Sequence, residues 1–306
     1  MSWALPLPVV IPLLAAAVNI SGDHVLPRRV GDAIALLAAA AACAFSFLVA
    51  TASMQHEVLH WFGGWRPRGG VAIGIVFAAD PLGAGMAALA SLLVLLALLF
   101  SLVYVREGGR PYDVLVLVFG GAMCGFALTG DLFNMFVWFE LMGVAAYALA
   151  GFKVSELGPL QGGINMAVTN TVGAYFILIG IALLYARTGA LNFAQIGRTL
   201  AGQQSGGVEI VALTLILVGF LVKAAIVPFH FWLADAHAVA PAPVCVLFSG
   251  AMVELGLFGA ARVYWTIFDA PFGAHQIAIR NVLLAFGLVT AFVGALMAFC
   301  QRHIKR

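Results

Sequence analysis

Three ionisable residues stand inside strongly apolar sequence. Glu140 lies within "DLFNMFVWFELMGVAAYALAG", Lys223 closes the run "IVALTLILVGFLVK", and Glu254 lies within "VLFSGAMVELGLFGAAR". A charge held at membrane depth costs about 2.5–3.5 kcal/mol on insertion scales, and such groups characteristically line proton or ion paths. The alternative is an ion pair that only ties helices together. Five residues beyond Lys223 comes Pro228, in "LVKAAIVPFHFWLADAH". Its ring clashes with the carbonyl four residues back, at Ala224, and it has no amide hydrogen to donate, so the helix is predicted to break just after Lys223. Freed backbone at that depth is tolerated only where protein or a wet cavity surrounds it. Broken helices beside polar groups are where transporters bind their cargo. A carboxylate brought near an ammonium favours its charged form. If Glu140 moved, or took up a proton, Lys223 would therefore be switched between holding a proton and releasing one.

His230 and His237 follow the break and flank Asp235. Histidine titrates near neutrality, which suits a proton relay; a capping or packing role remains the alternative. Asn165, Thr169, Asn170 and Thr171 give the sixth apolar segment a polar face, fit either for hydrogen-bonding water in a path or for joining helices.

These groups need elements to hold them, and the composition says which. Of 306 residues, 63% are hydrophobic and 9% charged, against about 25% charged in a soluble domain. Lipid is therefore the expected solvent. A net charge of +2 gives no basis for nucleic-acid binding. Cys43, Cys124, Cys245 and Cys300 sit singly in apolar runs and suit neither a metal site nor disulfides. The first Lys or Arg is Arg28, so the N-terminal apolar run lacks a basic leader and reads as a first span bearing Pro6, Pro8 and Pro12.

Apolar runs of spanning length number nine: roughly Trp3–Ile20, Val30–Thr51, Pro81–Tyr104, Tyr112–Thr129, Leu132–Gly151, Gly162–Tyr185, Ile210–Trp232, Pro243–Thr266 and Ile279–Cys300. The expected fold is an all-α polytopic membrane helix bundle. Between the second and third spans, "HEVLHWFGGWRPRGGVAIGIVFAAD" suggests a hairpin at the membrane surface, with Trp61 and Trp65 in the interfacial belt. Between the sixth and seventh, "LNFAQIGRTLA" reads as an amphipathic helix lying on that surface.

Four stretches then become recognisable: "DLFNMFVWFELMGVAAYALAGFK", "GINMAVTNTVGAYFILIGIALLYARTGALNFAQIG", "GFLVKAAIVPFHFWLADAHAVAPAPVCVLFSG" and "GALMAFCQRHIKR". From about Asp80 onward the chain resembles the antiporter-like, proton-translocating membrane subunits shared by respiratory complex I, Mrp-type cation/proton antiporters and membrane-bound hydrogenases. The first and second stretches lean towards the Mrp and hydrogenase branches. The resemblance implies that Glu140 is the family's glutamate of the fifth helix and Lys223 its partner on a broken seventh helix. It implies that His230 and His237 adjoin the central hydrophilic axis. It also implies two inverted five-helix repeats within about fourteen helices. Residues 111–266 would then be one complete repeat (helices 4–8), residues 1–110 peripheral helices 1–3 with the hairpin, and residues 267–306 a ninth helix opening an incomplete second repeat.

Three departures stand out. Glu254 occupies a place where many relatives carry lysine, reversing the sign of a central charge. The sequence stops at "QRHIKR" where relatives continue, which leaves open a truncated chain or a partner chain supplying the second repeat. His303 also stands where the family usually has aspartate. The expected function is a proton-translocating subunit of a larger assembly in the cell (inner) membrane. Its ions are protons, with Na⁺ exchange left open, and Glu140, Lys223 and Glu254 are its transfer groups. The partners expected are other membrane subunits and lipid. A second reading is a non-redox membrane subunit of a quinone- or hydrogenase-linked oxidoreductase; a third is an inactive scaffold. No cofactor is expected in this chain, since it lacks a cysteine cluster, a haem motif and a Gly-rich dinucleotide loop.

Overall fold

A computed structural model describes residues 1–104, 109–201, 206–269, 272–302 and 305. His303 lies outside them. Among the described residues, eight helices are long and apolar enough to cross a membrane. They are α1 (Leu7–Ser21, preceded by a short turn from Ser2), α2 (Arg28–Ser53), α3 (Pro81–Tyr104), α4 (Gly109–Leu128), α5 (Leu132–Ala150), α6 (Leu157–Thr188), the composite segment Ala242–Phe268, and α12 (Gln276–Cys300). The composite is built of α10 (Ala242–Leu247) and α11 (Val253–Val263), joined and ended by π-helical turns at Phe248–Met252 and Tyr264–Phe268. The remaining crossing is discontinuous. α8 (Gly207–Lys223) is followed by an irregular stretch and then by α9 (Phe231–Val239). With that interrupted segment the nine expected spans are accounted for, and the bundle is the all-α polytopic kind that the composition requires.

The helices begin and end where local chemistry directs. Asp131 caps α5 by accepting the amide of Asn134 at 2.8 Å, satisfying one of the orphan donors of a helix start. Gly189, at φ +63°, closes α6 in the left-handed conformation that glycine adopts freely. Glu209 accepts the Gly206 amide at 2.9 Å and pairs with Arg187 at 2.7 Å, so one carboxylate fixes the end of α6 to the start of α8.

α4 is the central helix: 72% of its spanning window is buried, and it packs on α1, α2, α3 and α5. α6 lies along α8. They meet where glycines face each other: a Cβ on Gly219 would come 2.4 Å from the Gly173 carbonyl oxygen. α12 is the opposite case, since none of its described residues is buried.

The surface hairpin forms as expected, β1 (Val58–Trp61) pairing antiparallel with β2 (Val76–Ala79) in the register Val58↔Ala79. Its second strand packs into the bundle, all four residues of β2 being buried, while the turn between the strands, with Trp65 and Ile73, is exposed. Gly130, at the α4–α5 corner, donates to the Val76 carbonyl at 2.9 Å. Arg262 of α11 donates to the Ala78 carbonyl and pairs with Asp80 at 2.6 Å. The amphipathic segment also forms, as α7 (Phe193–Ala201). Its apolar residues Phe193, Ile196 and Leu200 are buried against protein rather than membrane, and α7 packs on the π-helical end of the eighth crossing. A one-sided apolar stripe marks a face to be covered; it does not distinguish lipid from protein as the cover.

Candidate functional site

The break is where Pro228 dictates. α8 ends at Lys223, Ala225 takes a left-handed φ of +51°, the Val227–Pro228 bond is cis, and helix resumes at Phe231. A left-handed residue other than glycine costs roughly 1–2 kcal/mol, so surrounding contacts must hold it there. They do so through neighbouring backbone and two side chains. The Ala224 amide donates to Phe220 O, and the Ile226 amide donates to Leu221 O. The Val222 carbonyl accepts the Ala225 amide and also the Trp232 indole N–H at 3.0 Å. The Val227 amide donates to Thr290 Oγ1 of α12 at 3.1 Å. Trp232 and Thr290 thus clothe backbone that the break exposes. For the second of these, the sequence offers no signal beyond a threonine in an apolar run.

Lys223 is completely buried, and its Nζ has no hydrogen-bond partner among the described residues. It sits over the face of Phe139, 4.3 Å from the ring centroid, with the Tyr147 ring at 5.8 Å. Such cation–π contacts stabilise an ammonium by about 0.5–2 kcal/mol, more as water is removed. Phe139, Glu140, Gly143 and Tyr147 fall on one face of α5 by helical spacing. Glu140 Oε1 is buried and likewise without a hydrogen-bond partner. The structure therefore brings α5 and α8 together at the two expected residues. Among the described residues, however, neither takes part in an ion pair. Lys223 Nζ lies over aromatic faces instead.

His230 and His237 line one cavity of about 260 Å³ between the break and α12, with Thr290 and Gly294 on its far wall. His230 Nδ1 is buried and unpartnered, and the His237 ring stands edge-on to Phe248. Asp235, between them in sequence, turns towards α6, where Asn165 donates to it at 3.5 Å. Asn170, on the same helix, is completely buried, with Oδ1 unpartnered. Leaving a buried polar atom unpaired costs about 1–3 kcal/mol. Such atoms on α5, α6, α8 and the break mark the polar seam of this bundle.

Glu254 is not part of that seam. It is exposed on α11, as are Val246 of α10, about two turns before it along the composite crossing, and Leu257, one turn after it. The apolar run around it correctly signals membrane depth. Which side of the helix it occupies is decided by helical phase, and the phase turns it outward.

Comparison with known proteins bears on the whole chain. Residues 129–306 match the family model described as NADH:quinone oxidoreductase/Mrp antiporter, transmembrane. NADH-quinone oxidoreductase subunit N of Desulforudis audaxviator is 30% identical over 309 residues, covering 97% of this chain and 59% of that protein. A Na⁺/H⁺ antiporter subunit of Bacillus subtilis is 32% identical over 301 residues, covering 95% of this chain and 58% of that one. Among solved structures, a chain of the archaeal membrane-bound sulfane sulfur reductase superimposes with a TM-score of 0.88 at 25% identity, covering all of this chain and 61% of that one. A chain of the Mrp complex from Dietzia sp. gives 0.85 at 27% identity, covering 98% and 54%. The chain thus spans about three fifths of the length of the relatives it matches.

Proposed function

We infer the function from one premise: the chain belongs to the NADH:quinone oxidoreductase/Mrp antiporter transmembrane family. We propose that it is a proton-translocating subunit of a multi-subunit assembly in the cell (inner) membrane, with residues 111–266 as the proton-moving unit. The observation carrying this reading is the interrupted seventh crossing. It ends its first half on a completely buried lysine, beside a helix carrying Glu140; among the described residues neither Lys223 Nζ nor Glu140 Oε1 has a hydrogen-bond partner. A bundle held by packing gains nothing from two such groups; a proton path needs them.

In this mechanism Glu140 takes its proton from one side of the path, and its charge decides whether Lys223 holds a second proton of its own. A charged Glu140 favours the ammonium; protonation of Glu140 removes that attraction and lets Lys223 release its proton toward the break. His230 and His237, in the cavity behind the break, would receive it. Glu254 can serve only when another membrane helix covers its face. The relatives' names divide between quinone oxidoreductases and cation/proton antiporters. The driving reaction is accordingly assigned to other chains, and whether protons move alone or against Na⁺ or K⁺ is a property of the assembly.

The test is proton movement in everted membrane vesicles carrying the whole assembly, followed with a pH-sensitive dye. Lys223→Ala should abolish it while the chain's abundance in the membrane and its association with its neighbours stay the same. Transport persisting at the native rate in Lys223→Ala would overturn the reading.

A further inference from the structure

The Lys223 headgroup is held by a seat that the proton-exchange scheme does not use. Phe139 and Tyr147 are two turns apart on α5, and Gly143 lies between them. Lys223 Nζ lies over the first ring, 4.3 Å from its centroid, with the centroid of the second ring 5.8 Å away. Gly143 makes the space: a Cβ there would stand 3.4 Å from Lys223 Nζ and 2.8 Å from the Tyr147 hydroxyl. An added Cβ would crowd the Tyr147 hydroxyl and sit in van der Waals contact with Lys223 Nζ, so a longer side chain at 143 would compete for the lysine's place. Glu140 is the immediate neighbour of Phe139 on this face, yet forms no ion pair with Lys223 among the described residues.

We propose that Phe139, Gly143 and Tyr147 form an aromatic seat that positions the charged Lys223 side chain out of ion-pair range of Glu140. The argument is differential. A ring face attracts an ammonium through its quadrupole, whereas a neutral amine has no charge to be attracted. A direct Glu140–Lys223 ion pair at this depth would be a trap, because separating it again leaves two bare charges in oil. The seat gives the ammonium a third place to rest, weaker than a carboxylate and less costly than none. Transfer then requires only a short swing in either direction. Phe139 and Tyr147 are positioning residues acting through Lys223, and Gly143 is the gap that admits its head. This rests on the proton-moving reading of Lys223 above.

The test uses the same vesicles and complete assembly, with rates normalised to the amount of chain in the membrane. Phe139→Leu and Phe139→Met keep the bulk but remove the ring face, and each should slow proton movement about tenfold. Phe139→Trp and Phe139→Tyr restore a face and should recover to within about threefold of the native rate. Tyr147→Leu and Tyr147→Phe give the same contrast at the second ring, the phenylalanine retaining function. Should either Phe139 replacement destabilise the chain, the Tyr147 pair decides alone. Native rates in Phe139→Leu, Phe139→Met and Tyr147→Leu, with Lys223→Ala inactive, would overturn the seat and leave the lysine's role standing. An active Lys223→Ala would instead overturn the proton-moving reading itself.

Discussion

At the scale of single residues, the sequence betrays groups that are chemically out of place and hides those that are chemically ordinary. Lys223, Glu140 and Pro228 stand out because a charge or a ring imide in an apolar run demands a reason, and the structure brings the first two onto facing helices beside the break. Phe139, Gly143 and Tyr147 give no such signal. In a helix as apolar as α5, a phenylalanine that seats an ammonium is indistinguishable by type from one that fills space. Glu254 illustrates the converse, a residue whose type demands a reason but whose direction no hydropathy pattern encodes. Thr290 belongs to the hidden group as well. Its hydroxyl accepts the Val227 amide at 3.1 Å, on backbone that can find no helical partner. Thr290→Val preserves shape and removes the acceptor. It should cost about 0.5–1.5 kcal/mol, the net worth of a typical hydrogen bond, read as a lowered thermal midpoint of the purified assembly in detergent. Thr290→Ser, which keeps the hydroxyl, should lose less than half as much.

At the scale of elements, almost every piece is legible in advance, because span length, turn residues and amphipathic spacing are local properties. The nine crossings, the hairpin and α7 all occur where the pattern sets them. What is not local is what each element rests against. β2 and α7 are covered by protein because the corners of the bundle at Gly130 and Thr266 reach them. The α6–α8 contact is likewise tertiary, and it places the lysine. Gly219 lies one turn before Lys223, with its missing Cβ facing the Gly173 carbonyl at 2.4 Å and Ile177 Cγ1 at 2.4 Å. Neither backbone carbonyl nor a packed isoleucine can yield that distance. Gly219→Ala should therefore push α8 away from α6, costing about 1–3 kcal/mol as overpacking does, and should displace the ammonium from its place over Phe139. The expected signature is a lower melting midpoint together with a loss of proton movement larger than the stability change explains. Gly219→Ala with native transport would mean that the spacing of these helices does not set the lysine's position.

At the scale of the whole molecule, the distribution of burial is lopsided, and the lopsidedness has a consequence. α4 is enclosed on nearly every side, while α12 buries none of its described residues and stands off from α8 and α11 across a cleft of about 830 Å³. Glu254 is exposed on α11, one turn from Leu257, which lines that cleft. Exposed apolar side chains there need no cover in lipid, since acyl tails are as apolar as leucine. An exposed carboxylate does, at about 2.5–3.5 kcal/mol on insertion scales. A cationic side chain from a neighbouring membrane helix would offset that cost, and it would restore to Glu254 a place in the charge sequence that begins at Glu140. Two variants separate this from a carboxylate that is merely tolerated. Glu254→Leu should leave this chain's accumulation in the membrane equal or higher, because the uncovered charge is gone, yet lower its retention in the assembly on a native gel. Glu254→Asp, keeping the charge on a shorter arm, should hold the assembly together and transport more slowly. If Glu254→Leu assembled and transported as the native chain does, the outward face of α11 would be a lipid surface, and the path of protons would lie wholly within the seam between α5, α8 and the break.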